Sequence, residues 1–483
     1  MAQAHAGAHS PHVVVLTSPG AGHHGVTATI VTFTNLSSPE HSWALATLPA
    51  GVSVAKLPET PLDDLPPDAH LVTRIVTVAR RTLPHLRELL RSLLGSPAGV
   101  AAFLTDMLCA AALAAAEELG VPRYVFYPTI TLVSLSSVLH APELSRTTAG
   151  ECRDLPEPVR LPGCVPLRGA ELLEPLQDLA SPAYALVVDY LRADGFVVNT
   201  FDGLEHDTLA AFQDLGDKGV YPPAYAVGPF VRSCPEEAAK HRCVEWLDGQ
   251  PDGSVLYVCF GSGGAFSSRQ TAELAAGLEA SGQRFLWVVH VPSDKDSSAG
   301  YFGTASRGED DPLSYLPEGF VERTGGMGLA VGQSAPQVEI LNHRAVGGFL
   351  SHCGWNSSLE AVAAGVPILA WPLFAEQRTN AVMLSSPEGA GVALRLRARE
   401  DADGVVPWEE VAAAARELMA GEKGAAARKK ANELRAGAEK AVAPDGPACR
   451  ALAAVVDTWN GGSAPAAASL ADEAVVVSCV KLV

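Results

Sequence analysis

Residues Ala345–Gly365 read AVGGFLSHCGWNSSLEAVAAG. The opening residues are short, apolar and partly β-branched or aromatic, as a buried strand requires. The closing residues carry leucine and alanine at helical spacing and stop at Gly365, a residue type that ends helices. The polar cluster His352, Trp355, Asn356, Ser357 and Glu360 therefore sits on a strand-to-helix turn. In an open parallel sheet such turns lie at the carboxyl edge of the strands, where ligands bind. Two readings follow. Ser357 with Glu360 three residues later has the pattern of a capping box, in which each side chain satisfies an orphan backbone N–H. Alternatively, the unpaired N–H groups of a helix start hold an anion, with the helix dipole in support. The cap leaves His352, Trp355 and Asn356 without a task, so the rest of the chain must decide.

Working outward, the same strand, turn and helix grammar recurs at the head of each half. VVVLT (13–17) runs into SPGAGHHG (18–25), and SVLYVCF (254–260) runs into GSGGAFSSRQ (261–270), a helical TAELAAGLEASG and a strand RFLWVVHV. Two Rossmann-like α/β domains are the expectation. Neither glycine turn fits G-x-G-x-x-G with a downstream acid, which argues against a nicotinamide site. The boundaries read as a first domain over 1–232, a linker over 233–250, a second domain over 251–446, a helix over 447–463 packing back on the first domain, and a tail over 464–483. A long helical region is expected from Trp408 to Val442.

Composition excludes other classes. The chain has 483 residues, 48% hydrophobic and 18% charged, which is globular and large enough for two or three cores. A net charge of −19 repels nucleic acid, so any phosphate must be gripped locally by backbone donors and a few side chains. Nine cysteines without metal-ligand spacing, and an opening MAQAHAGAHSPH with neither a basic patch nor an apolar run, favour a reducing, cytoplasmic setting. Apolar runs are short or broken by Pro and Gly, so no transmembrane helix is expected.

The stretch Ser334–Gln377, SAPQVEILNHRAVGGFLSHCGWNSSLEAVAAGVPILAWPLFAEQ, resembles the signature box of the plant secondary-product UDP-glycosyltransferases over its full length. SPGAGH, RYVFYPT, PGCVP, ADGFVVNTF and VCFGSGG are similar to that family too, so the likeness covers most of the chain. It implies two Rossmann-like domains facing across a cleft, the GT-B arrangement, with the acceptor bound mainly by the first domain and the UDP-sugar by the second. By the same resemblance, His352 and the backbone at Asn356 and Ser357 hold the diphosphate, and Trp355 packs at the sugar–diphosphate bend. Glu360 accepts from the ribose hydroxyls, Ser334, Ala335 and Gln337 lie by the uracil, and Ser262 contacts phosphate. Glu376 and Gln377 meet the sugar, the glutamine favouring glucose. His23 matches the family's base, suited to neutral pH, and Asp106 the acid that orients it. His24 only neighbours the base. On its own residues Asp106 reads rather as the N-cap of the following helix, a common use of Asp there; His23 and the box turn the reading to the acid. The implied reaction is inverting transfer of glucose to a small phenolic hydroxyl, by a monomer that needs no metal or cofactor.

Two departures stand out. The box opens with Ser334 where the family has a tryptophan stacked on uracil. Only SPGAGHHGV separates the strands VVVLT and TATIVTF, whereas a parallel crossover ordinarily spans a dozen or more residues with a helix. Either these strands pair differently or the first domain is locally incomplete. The alternatives are a nucleotide-sugar-binding homologue of little or no activity, and a metal-dependent transferase using Asp294 and Asp296 of PSDKDSS.

Overall fold

The computed structural model describes residues 12–16, 27–36, 48, 51–66, 71–147, 152–173, 176, 185–231, 241–261, 263–294, 311–332, 335–396 and 404–459. Two parallel sheets organise them. The first contains β1 (His12–Leu16), β2 (Thr27–Phe33), β3 (Val52–Leu57), β4 (Ala102–Asp106), β5 (Arg123–Tyr127), β6 (Gly195–Val198) and β7 (Ala224–Ala226) in the order β3-β2-β1-β4-β5-β6-β7. The second contains β8 (Val255–Cys259), β9 (Arg284–Val289), β10 (Gly328–Gly332), β11 (Val346–Ser351), β12 (Ile368–Ala370) and β13 (Ala393–Arg395) in the order β10-β9-β8-β11-β12-β13. Every residue of β6, β8 and β11 is buried, because helices cover both faces of a parallel sheet.

The order reverses between β1 and β4 in the first sheet and between β8 and β11 in the second. These are the two switch points at which open α/β sheets leave a crevice. Asp106 ends β4 and His352 follows β11, so one candidate stands at each.

β1 and β2 pair in parallel, His12 beside Thr27 and Leu16 beside Val31, which removes the expectation that they pair differently. The ten residues between them, 17–26, lie outside the described residues.

The halves share a core. Phe201, Leu204, Val133 and Cys152 of the first pack in one cluster with Trp355, Phe349 and Leu434 of the second. Glu171 adds a polar seam: its carboxylate meets Arg395 at 2.8 Å, and its carbonyl accepts from the Thr379 hydroxyl at 2.6 Å. The helix Pro447–Trp459 packs on the first sheet, setting Val455 against Val13, Val15 and Tyr124, with Tyr124 and Thr458 hydroxyls 2.7 Å apart. Burying a valine of this kind contributes about 2 kcal/mol. The helical region from Trp408 to Val442 is made of two helices, Trp408–Ala420 and Glu422–Val442, because Gly421 takes an extended conformation (φ −87°, ψ 172°). The tail over 464–483 lies outside the described residues. No helix among the described residues is long and apolar enough to cross a membrane.

A candidate donor site at the second switch point

β11 delivers His352 into a slot between two glycines. A methyl group on Gly261 would stand 2.6 Å from the His352 ring, and one on Gly354 2.4 Å from it, so only glycine leaves room on either side. The turn needs a left-handed residue at Cys353 (φ 63°), and Gly261 is left-handed as well (φ 75°). Burial pushes the His352 pKa down to about 4, with His290 adding to the effect, so the ring is neutral near pH 7. It can hydrogen-bond a ligand but brings no charge. Its Nδ1 is buried with no hydrogen-bond partner.

The helix Trp355–Ala364 begins immediately after Gly354, which has no side chain to cap it. Its first ladder bond runs from Ser358 N–H to Gly354 C=O at 3.0 Å. The amides of Trp355, Asn356 and Ser357 precede that bond, as the first N–H groups of any helix do. This corrects the capping-box reading: the N-cap is Gly354, and Ser357 is the third helical residue rather than the cap. Both side chains instead meet Gln337, whose Nε2 donates to Ser357 Oγ at 2.9 Å and to Glu360 Oε2 at 2.6 Å. Gln337 stands at the start of the short helix Gln337–Leu341, with half-buried Ala335 just before it. Ser334 and Ser262 lie outside the described residues.

Trp355, expected to pack at the sugar–diphosphate bend, lies where the two halves meet. It is 1% exposed within the core shared by the halves, and its Nε1–H donates to the Asn199 carbonyl at 2.7 Å. Asn199 escaped the sequence reading. The only trace was an asparagine at the carboxyl end of a buried strand, in GFVVNT.

Gln377 is 3% exposed, and its Oε1 accepts from Leu373 N–H at 2.8 Å and Phe374 N–H at 3.1 Å. Those bonds fix which end of the amide is oxygen and leave Nε2 as a donor of two hydrogens. Half-buried Glu376 precedes it at the N-cap of Gln377–Ser385, after left-handed Ala375 (φ 55°).

At the first switch point, Asp106 is 7% exposed and its Oδ1 accepts from Leu108 N–H at 2.9 Å and Cys109 N–H at 3.1 Å. The cap reading of Asp106 is therefore realised. His23 and His24 lie outside the described residues. Asp294 is engaged by the first residue of the helix Ser268–Ser281, whose N-cap is Ser267: its two oxygens accept from Ser268 N–H at 2.9 Å and Ser268 Oγ at 3.2 Å. That occupies the carboxylate the metal reading needed. Asp296 lies outside the described residues. Among the described residues no group of three or more His, Cys, Asp or Glu side chains is placed to hold a metal.

Residues 232–414 match the family described as UDP-glucoronosyl and UDP-glucosyl transferase. The hydroquinone glucosyltransferase of Rauvolfia serpentina is 43% identical, over 94% of this chain and 98% of its own. A Polygonum tinctorium UDP-glucosyltransferase capable of glucosylating indoxyl, solved with 3,4-dichloroaniline, superposes with a TM-score of 0.84 at 39% identity, covering 94% of this chain and 99% of that one. Phytolacca americana UGT2, solved with UDP-2fluoro-glucose and pterostilbene, gives 0.80 at 37% identity, covering 94% and 100%. The sheet order, the turn built around His352 and these likenesses converge: the chain belongs to the UDP-glycosyltransferase family, with the two Rossmann-like domains of the GT-B fold.

Proposed function

We infer that the protein transfers glucose from UDP-glucose to a hydroxyl of a small phenolic acceptor, with inversion at the anomeric carbon. The observation that carries this is the convergence of His352, the opening amides of Trp355–Ala364, and the Gln337–Ser357–Glu360 cluster at one switch point. A diphosphate suits the amides and a neutral imidazole. A ribose diol suits the paired acceptors of a carboxylate. Glu376 and Gln377 face the sugar in this reading, and the two donor hydrogens of Gln377 distinguish C4 epimers. His23 removes the acceptor proton as the hydroxyl attacks, and Asp106, oriented by its two backbone bonds, stabilises the imidazolium. No cofactor enters the reaction, and the protein works as a cytoplasmic monomer.

Phenolic acceptors are favoured by the relatives named above, among them a hydroquinone glucosyltransferase. The reading of an inactive homologue has no comparable support. Purified protein incubated with UDP-glucose and a panel of hydroquinone, flavonols and monolignols should release UDP and form a glucoside. UDP-galactose should serve less well, and EDTA should not inhibit. Release of no UDP with any phenol, or a preference for galactose, would contradict the respective part of the reading.

A further inference from the structure

We propose that Trp355 is a positioning residue, registering the donor-binding turn of the second half on the acceptor-binding half. The proposal rests on the functional reading above. Trp355 supplies one of the amides at the mouth of the helix, while its side chain is buried in the core that the halves share. The indole is 1% exposed, and its only hydrogen-bonding group is spent on the Asn199 carbonyl at 2.7 Å, across the boundary between the sheets. A buried indole N–H needs an acceptor. Finding it in the other half makes the relative position of the halves a condition of satisfying it.

The acceptor is held from three more sides. Asn199 N–H donates to Tyr127 C=O at 2.9 Å, its Nδ2 donates to Pro128 C=O at 3.1 Å, and its Oδ1 accepts from Phe230 N–H at 2.7 Å. These partners belong to the end of β5 and to the segment that leaves the first sheet after β7. The Asn199 carbonyl is thus fixed to the strand ends at the carboxyl edge of the first sheet, the same edge that carries Asp106. The Glu171 seam also joins the halves, but it reaches Thr379 and Arg395 rather than the turn itself. Only the Trp355 bond among the described residues runs from the first residue of the donor-binding helix to the acceptor half.

Glycosyl transfer needs the attacking oxygen about 3–3.5 Å from the anomeric carbon, and a misplacement of about 1 Å costs on the order of a hundredfold. A bolt at this point acts on that distance. It has no bearing on how tightly the second half holds UDP.

Trp355→Phe keeps an aromatic body and deletes the N–H. It should lower kcat about tenfold or more while leaving the UDP affinity, read by titration calorimetry, within about twofold of wild type. Scanning calorimetry gives a readout independent of activity. Wild type should unfold in one transition that saturating UDP raises as a unit. The variant should unfold in two, only one of them raised by UDP. Asn199→Ala, which releases the bonds to Pro128 and Phe230, should reproduce the kcat loss at unchanged UDP affinity, and it decides the matter if Trp355→Phe does not fold. A loss of UDP affinity matching the loss in kcat would make the indole part of the donor site and overturn the proposal. So would unchanged kcat with a single transition. If wild-type protein transfers no glucose, the functional reading fails, and the calorimetric split still tests the registration.

Discussion

Gln337 donates from its amide to Glu360 at 2.6 Å, so the two side chains proposed to meet uracil and ribose hold each other in place. The cluster is preorganised: the Gln337 amide holds the carboxylate 9% exposed, and the Tyr257 hydroxyl lies 3.5 Å from the Gln337 carbonyl oxygen. Replacing Glu360 by Gln removes the charge while keeping the shape. Hydrogen bonds to a charged group contribute about 1.5–3 kcal/mol, so UDP should bind about ten- to a hundredfold more weakly. Calorimetric titration with UDP reads this directly, and an unchanged affinity would place the ribose elsewhere.

Gly354→Ala should damage the same site by steric means. Its φ of −58° suits alanine, so backbone strain is not the cause. The new methyl would meet the His352 ring at 2.4 Å, and Gly261 behind the ring lies too close to let it retreat. The expected result is a destabilisation of about 1–3 kcal/mol from overpacking, together with a loss of UDP binding. Urea unfolding and UDP titration of the one variant check both effects.

Asp106→Asn separates the two roles of that residue. The asparagine oxygen can still accept from Leu108 and Cys109 N–H, so the cap and the stability should survive to within about 1 kcal/mol. The charge that would stabilise an imidazolium is lost, and kcat should fall about a hundredfold or more with UDP affinity unchanged. A rate close to wild type would reduce Asp106 to a cap alone.

Glu205 gives a stability prediction with a definite sign. It is 4% exposed, at a kink in the helix Asp202–Asp217, and one oxygen accepts from Val133 N–H at 3.3 Å. Its second oxygen is buried without a hydrogen-bond partner. Burial raises its pKa from 4.5 to about 7. An acid whose pKa is raised on folding holds its proton better in the folded state. Its contribution is therefore complete below about pH 4.5 and is lost as pH climbs to about 7. The loss amounts to at most about 3 kcal/mol. Glu205→Gln should be more stable than wild type at pH 8 and indistinguishable from it at pH 4.5. Denaturant melts at the two pH values provide the check, and equal differences at both would remove Glu205 as the cause.

The parallel sheets were legible because buried parallel strands read as unbroken apolar runs, as VVVL and LYVC do, each followed by glycines. The candidate donor-site turn was legible because it is contiguous: His352, Ser357 and Glu360 lie within one strand-turn-helix unit. Gln337 joins them from twenty residues away and was found only through the family likeness. The orientation of Trp355 was not legible. Spacing places a side chain on a helix but does not say whether the cleft or the opposite half lies beyond it. Asp106 shows the same limit, since a carboxylate before a helix reads alike as a cap or a catalytic acid. Gly421 broke an alanine-rich pattern whose periodicity runs on through it, so the break had only a single glycine to announce it.

The returning helix Pro447–Trp459 has a consequence for synthesis. The last strand of the first sheet ends at Ala226, yet Val455, which closes over Val13, Val15 and Tyr124, leaves the ribosome more than two hundred residues later. At about 5–20 residues per second, one face of that sheet stays uncovered for on the order of ten seconds or longer. A nascent chain stalled or truncated before Pro447 would present that apolar face to its surroundings. Such a truncated chain should be recovered with chaperones or in aggregates rather than as a smaller folded protein.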